Sequence, residues 1–105
     1  MTMKDLGNLQ RILKSAKEMQ EKLQKELVEL RVEGTSGGGM VSLTLDGQKN
    51  LVSVRIDPEV VNRSEVEMLQ DLIVAAFNDA AAKVEEHLSQ KMSSLGGAFK
   101  IPGLF

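Results

Sequence analysis

Apolar positions recur three and four apart along residues 1–30, at Leu6, Leu9, Leu13, Ala16, Leu23, Leu27 and Leu30, with Gln20 the polar member of the series. That spacing predicts one long helix with a narrow apolar seam, the pattern of a helix that packs against another helix. After Leu30 the period shortens. A first strand is expected around Leu30–Gly34, followed by a hairpin loop at Thr35-Ser36-Gly37-Gly38-Gly39. Val41, Leu43 and Leu45 alternate with Ser42 and Thr44, which is the period of a half-buried strand. Asp46-Gly47 opens a turn that runs through Asn50. Val52, Val54 and Ile56 then alternate with Ser53 and Arg55 until Asp57-Pro58 stops the strand.

A second long helix follows. Ser64 with Glu67 three residues on reads as a capping box, and Glu65 also suits the positive end of a helix. Leu69, Ile73, Phe77, Ala80, Val84, Leu88, Met92 and Leu95 keep the helical period until Gly96-Gly97, where a left-handed cap is expected. From Leu72 to Phe77 the helix is apolar almost all round, which predicts burial on more than one side. The tail holds Phe99, Ile101, Leu104 and Phe105, with a bend imposed by Pro102-Gly103. The expected class is therefore α+β: a long N-terminal helix, a three-stranded antiparallel β-meander and a long C-terminal helix. Residues 1–97 read as one domain and 98–105 as an apolar tail. Two long apolar stripes exceed what a three-stranded meander covers, so self-association is expected.

Charge adds a second feature to the first helix. Lys4, Arg11, Lys14, Lys22 and Lys25 fall within a strip of about 80° opposite the apolar seam, with Lys17 beside it. The net charge of the chain is −2, which argues against a generally basic nucleic-acid binder. The charge is polarised, however: residues 1–31 hold seven Lys/Arg and five Asp/Glu, against six and ten in residues 32–105. Up to position 17 the cations of the helix face only Asp5, so positive charge sits at the positive end of the dipole. This arrangement opposes stability by a few tenths of a kcal/mol per charge, and such violations often serve function. Two readings follow. Glu18–Lys22, Glu21–Lys25, Lys14–Glu18, Lys17–Glu21 and Lys25–Glu29 have the spacing of a solvated ladder of ion pairs; alternatively the basic back contacts an anionic partner.

Nothing in the sequence assembles an active site. His87 is the only histidine and there is no cysteine, so a disulfide framework, a thiolate metal site and a cysteine nucleophile are excluded. His87 beside Glu85 and Glu86 reads as a solvated side chain, without the two-His spacing of a helical zinc motif. Asp57 and Glu59 flank Pro58 and read as a strand end and turn start. Ser36 lacks the G-x-S-x-G elbow, and Gly37-Gly38-Gly39 lacks the Lys-Ser/Thr of a phosphate-binding loop. No catalytic residue, metal or cofactor is expected. The absence of cysteine fits a reducing cytoplasm, and each apolar run is broken by charge well before the length of a membrane span.

Four motifs in order resemble the YbaB/EbfC family of bacterial nucleoid-associated proteins. They are Gly37-Gly38-Gly39-Met40-Val41, Arg55-Ile56-Asp57-Pro58-Glu59-Val60, the run Asp71-Leu72-Ile73-Val74-Ala75-Ala76-Phe77-Asn78-Asp79-Ala80, and Pro102-Gly103-Leu104-Phe105. The resemblance spans essentially the whole chain. It implies a cytoplasmic, nucleoid-located homodimer with tweezer-like arms that binds duplex DNA, alters its conformation and performs no catalysis. The shared motifs read as scaffold and name no DNA-contacting side chain. Charge geometry alone nominates Lys4, Arg11, Lys14, Lys17, Lys22 and Lys25 for phosphate contact. The alternative is a coiled-coil protein-interaction module with incidental DNA binding.

Overall fold

The computed structural model describes the backbone of residues 3–94 and the side chains of residues 6–94. Its main elements are α1 (Met3–Glu29), β1 (Val32–Ser36), β2 (Val41–Leu45), β3 (Leu51–Ile56) and α2 (Val66–Ser94). The strands form an antiparallel sheet in the order β1-β2-β3. The α+β class and the order of elements are those expected. The cap at Gly96-Gly97 and the apolar tail lie outside the described residues.

One stripe of α2 makes the core. Ala76, Ala80 and Val84, four residues apart, are buried against Val32, Val41, Leu43 and Leu45 of β1 and β2. The helix comes unusually close to β1, because Gly34 has no side chain to hold it off. A Cβ at Gly34 would stand 2.3 Å from the Ala80 nitrogen and 2.4 Å from the Ala76 carbonyl oxygen. Small residues on both sides thus set the distance between helix and sheet. The expectation that α2 is buried on more than one side between Leu72 and Phe77 is corrected: Val74 and Phe77 are exposed. Only one face of the helix has a sheet beneath it, and the sheet is three strands wide.

Boundaries moved where tertiary contacts outweighed local signals. β1 begins at Val32 and continues through Ser36, two residues later than expected at each end. Thr35 and Ser36 are held in the strand by α2: the Thr35 N–H donates to Asp79 Oδ2 at 3.0 Å, and the Ser36 hydroxyl donates to the Leu72 carbonyl at 2.5 Å. The loop shrinks to Gly37–Gly39 and Met40, with positive φ at all three glycines. The capping box of Ser64 and Glu67 is also corrected. Asn62 takes the capping role, its Oδ1 accepting from the Ser64 N–H at 3.0 Å and from the Ser64 hydroxyl at 2.9 Å. A single 3-10 turn at Arg63–Glu65 then leads into α2. Asn62 is the better acceptor here because Ser64 is already inside the turn.

The two sheet edges differ. On the β1 side, Asp79 takes the outward N–H of Thr35, Lys83 reaches the Glu33 carbonyl at 3.4 Å, and the two side chains pair at 3.0 Å. This seals the edge against strand addition. On the β3 side, the only strand paired among the described residues is β2. Val54 stands opposite Leu43 on the α2 side of the sheet, yet α2 does not cover it and it is 44% exposed. Leu51 and Val52 are exposed as well.

Candidate nucleic-acid interface

α1 leaves this body as a rod. Its 27 residues correspond to about 40 Å of helix, and every described side chain from Leu6 to Lys22 is exposed. The molecule is accordingly elongated, with principal extents of 74 × 25 × 18 Å and a radius of gyration of 20.7 Å, against about 13 Å for a compact chain of similar length.

The base of the rod is fastened to the body at two points and capped by a local contact. The Gly47 N–H of the β2–β3 turn donates to the Leu27 carbonyl at 2.8 Å. Glu26 pairs with Lys91 of α2. The Arg31 guanidinium donates to the carbonyls of Val28 and Leu30 at 2.8 and 2.9 Å, placing a cation where the last carbonyls of α1 concentrate negative charge. The β2–β3 turn is itself rigid: Asp46 Oδ1 accepts the N–H groups of Gln48 and Asn50 at 2.8 and 2.9 Å. Lys49 beside it pairs with Glu85 of α2 at 2.5 Å.

These contacts shape the acid–base character of the body. The Asn50 N–H holds the Asp46 carboxyl below the usual carboxylate range. The Thr35 N–H and then Lys83 do so for Asp79. Hydrogen bonds from Lys91 and Lys49 lower Glu26 and Glu85 respectively. All four therefore remain charged at neutral pH, and each is engaged within the body or at its junction with the rod.

The rod presents the opposite case. Arg11, Lys14, Lys17, Lys22 and Lys25 are all exposed on α1; Lys4 lies in its first turns, and its side chain is outside the described residues. Among the described residues, none of these five cations forms an ion pair, since the three pairs present use Lys49, Lys83 and Lys91. The ladder anticipated from Glu18–Lys22, Glu21–Lys25, Lys14–Glu18, Lys17–Glu21 and Lys25–Glu29 is not formed. On a fully solvated helix the Coulomb gain of such pairs barely offsets the entropy of holding two long side chains together. The rod thus offers solvated cations along its back, interspersed with the exposed Glu18, Glu21 and Glu29 and joined by the helix into a fixed spacing.

The remaining chemistry-bearing residues take structural places. Asp57 accepts the Glu59 N–H at 2.9 Å and starts a short turn. His87 is exposed. Among the described residues no group of three His, Asp or Glu could hold a metal ion, and no helix is long and apolar enough to cross a membrane. Sequence reasoning missed the open β3 edge and the exposure of Val52, Val54 and Phe77. Their apolar character was visible, but the width of the sheet relative to α2 was not.

Comparison with known proteins matches this architecture. The family model described as the YbaB/EbfC DNA-binding family matches residues 3–99. The chain is 48% identical over 101 residues to a nucleoid-associated protein of Caldanaerobacter subterraneus subsp. tengcongensis, covering 93% of this chain and 91% of that one. It is 46% identical over 100 residues to a nucleoid-associated protein of Rhodospirillum rubrum, covering 92% and 94%. A crystal structure of an uncharacterized protein from Helicobacter pylori superposes with a TM-score of 0.70 at 28% identity, covering 90% of this chain and 97% of that one. The chain belongs to the YbaB/EbfC DNA-binding family.

Proposed function

We propose that this protein binds duplex DNA without catalysis, laying the basic back of α1 along the phosphates. The observation that carries the reading is the row Arg11, Lys14, Lys17, Lys22 and Lys25, exposed and outside the ion pairs of the described residues. Lys4, nominated with them from the sequence, has its side chain outside the described residues. A helix of about 40 Å follows several base pairs, and phosphate contacts position a protein without reading bases. Sequence preference then comes from DNA shape rather than from a base code. The family and the nucleoid-associated relatives support the same ligand and a place at the nucleoid in the cytoplasm.

The binding unit in this reading is a homodimer. The open edge of β3, with Leu51, Val52 and Val54 exposed beside it, is the surface offered to a second copy, since an uncovered apolar strand edge is otherwise an aggregation hazard. Two rods projecting from one body would clasp or bend the duplex, and changes in nucleoid organisation and gene expression would follow from that deformation. No small-molecule substrate enters this reading. A titration of duplex binding against salt tests it. Affinity falls steeply with log salt if phosphates are the ligand, and a flat response overturns the reading.

One observation favours a second reading. Leu6, Leu9, Leu13 and Met19 remain exposed on α1, as they would on a coiled-coil arm made for a protein partner, with DNA binding incidental. Salt-insensitive capture of a helical partner, without DNA affinity, separates this reading from the first.

A further inference from the structure

The apolar seam of α1 and its basic back point in opposite directions. At about 100° per residue, Leu6, Leu9, Leu13 and Ala16 cluster around one direction, and Arg11, Lys22 and Lys25 around the reverse. Between Leu6 and Gln20 the borders of the seam hold Asn8, Gln10, Ser15 and Lys17, so Lys17 is the only charge beside it. Leu6, Leu9, Ile12, Leu13 and Met19 are exposed. Nearer the base the seam belongs to the body, where Leu23 and Leu27 line a groove with Leu88 and Met92 of α2. The exposed stretch is therefore Leu6 to Met19, about 20 Å of helix.

That stretch fits a copy of itself. Ala16, Met19, Gln20 and Leu23 line one shallow groove of about 370 Å³, and their spacing is that of a hole that takes one side chain from a facing helix. An antiparallel copy that seats its Leu6 there brings Leu9 opposite Ala16 and Ile12 opposite Leu13. By symmetry it receives the first copy's Leu6 in its own groove. The borders then set Lys17 near the partner's Asn8 and Gln10 near the partner's Ser15, so no like charges are opposed. The antiparallel sense also keeps the two bodies at opposite ends of the pair. Other occupants suit the seam less. DNA finds its cations on the back, and a membrane surface wants a broad apolar face with aromatic residues, which α1 lacks.

We infer that the exposed seam joins two DNA-bound molecules, so that the protein bridges two duplexes. The inference rests on the reading that the basic back of α1 lies on phosphates. Two helices packed seam to seam have axes about 9 Å apart and turn their backs outward, about 20 Å from each other. Each back then faces its own duplex. Four turns with Ala16 and Gln20 in the seam bury little apolar area and pair weakly. DNA supplies the missing affinity, because molecules lined up on two duplexes meet at many points and at raised local concentration. The pair accordingly forms on DNA and not between free molecules at micromolar concentration.

The test uses the full-length protein, a bead-bound duplex and a second, labelled duplex. Parent protein should carry the labelled duplex onto the beads. Leu9→Gln with Leu13→Gln keeps the charge and the helix and leaves the back intact. Affinity for one duplex should stay within about twofold, while recovery of the second duplex falls about tenfold or more. Circular dichroism checks the fold; should the double variant not fold, Ile12→Gln takes its place with the same outcomes. The chain has no cysteine, so register is read by oxidising a mixture of Leu9→Cys and Ala16→Cys proteins on DNA. A bond between those two should form faster than one between two Leu9→Cys chains or one to Lys14→Cys on the back. Single-duplex binding without recovery of the second duplex, recovery unmoved by glutamine, or no preference for the Leu9–Ala16 bond overturns the inference and leaves the phosphate reading standing. Failure of the parent to bind a single duplex overturns both.

Discussion

The backbone N–H of Gly47 donates to the carbonyl oxygen of Leu27 at 2.8 Å, tying the β2–β3 turn to the base of the α1 rod. The approach leaves no room for a side chain: a Cβ at Gly47 would lie 2.7 Å from that same oxygen and 2.8 Å from the Leu27 Cα. The direction in which the rod leaves the sheet thus depends on one glycine. It also depends on the Asp46 carboxylate, which holds the turn in shape through Gln48 and Asn50.

Gly47→Ala should therefore destabilise the fold by roughly 1–3 kcal/mol, the usual range for overpacking. Gly34→Ala should lie at or beyond the top of that range, because its Cβ would meet the backbone of both Ala76 and Ala80. Gly7→Ala is the control: nothing lies within 4 Å of its Cβ, and alanine favours the helix by about 1 kcal/mol. Denaturant unfolding of the three variants checks the order.

Core truncation should separate the body from the rod. Leu43 is 1% exposed, so Leu43→Ala should cost about 2–5 kcal/mol. Leu23 is only half-buried within the chain, so Leu23→Ala should cost a fraction of that, about 1 kcal/mol from area lost alone. An equal loss at the two positions would mean that Leu23 is covered further in solution.

Asp79 should make stability depend on acid. Its folded pKa is lowered, first by the Thr35 N–H and then by Lys83. The stability it contributes is complete above the unfolded carboxylate value of about 4 and is lost as pH falls through the folded value. Asp79→Asn should be less stable than the parent at pH 7, and the difference should shrink below about pH 4. Urea midpoints measured from pH 7 to pH 2.5 check the sign.

The dimer reading predicts one species of twice the chain mass by sedimentation at micromolar concentration. Val52→Asp with Val54→Asp should shift that species towards the monomer, since both replaced side chains are exposed on β3. A folded wild-type monomer under these conditions would remove β3 as the interface.

Reversing Lys14 and Lys17 to Glu should weaken DNA binding alike on every sequence tried, because phosphates carry no base code. Each lost phosphate contact should flatten the slope of log affinity against log salt by about 0.9. The fold should survive, since both positions are exposed and exposed substitutions away from caps and core change stability little. Unchanged affinity and slope would move the contact surface away from α1.

Periodicity alone determined the class of this protein and the order of its elements. The seam from Leu6 to Leu30, the alternation of Val41, Leu43 and Leu45, and the stripe through Ala80 and Val84 are local patterns whose meaning does not depend on what they meet. The basic back of α1 was legible for the same reason, because helical spacing fixes which side chains share a side. What covers those patterns is not local. That Thr35 and Ser36 belong to a strand depended on Asp79 and Leu72, 44 and 36 residues away. Asn62 rather than Ser64 caps the approach to α2 because the chain turns two residues earlier than the motif suggests. The exposure of Val54 followed from a sheet wider than the helix laid on it, and that of Phe77 from a helix with a sheet beneath only one face. An apolar residue records that its burial would be favourable, but only the packed arrangement of the elements decides whether anything is there to bury it.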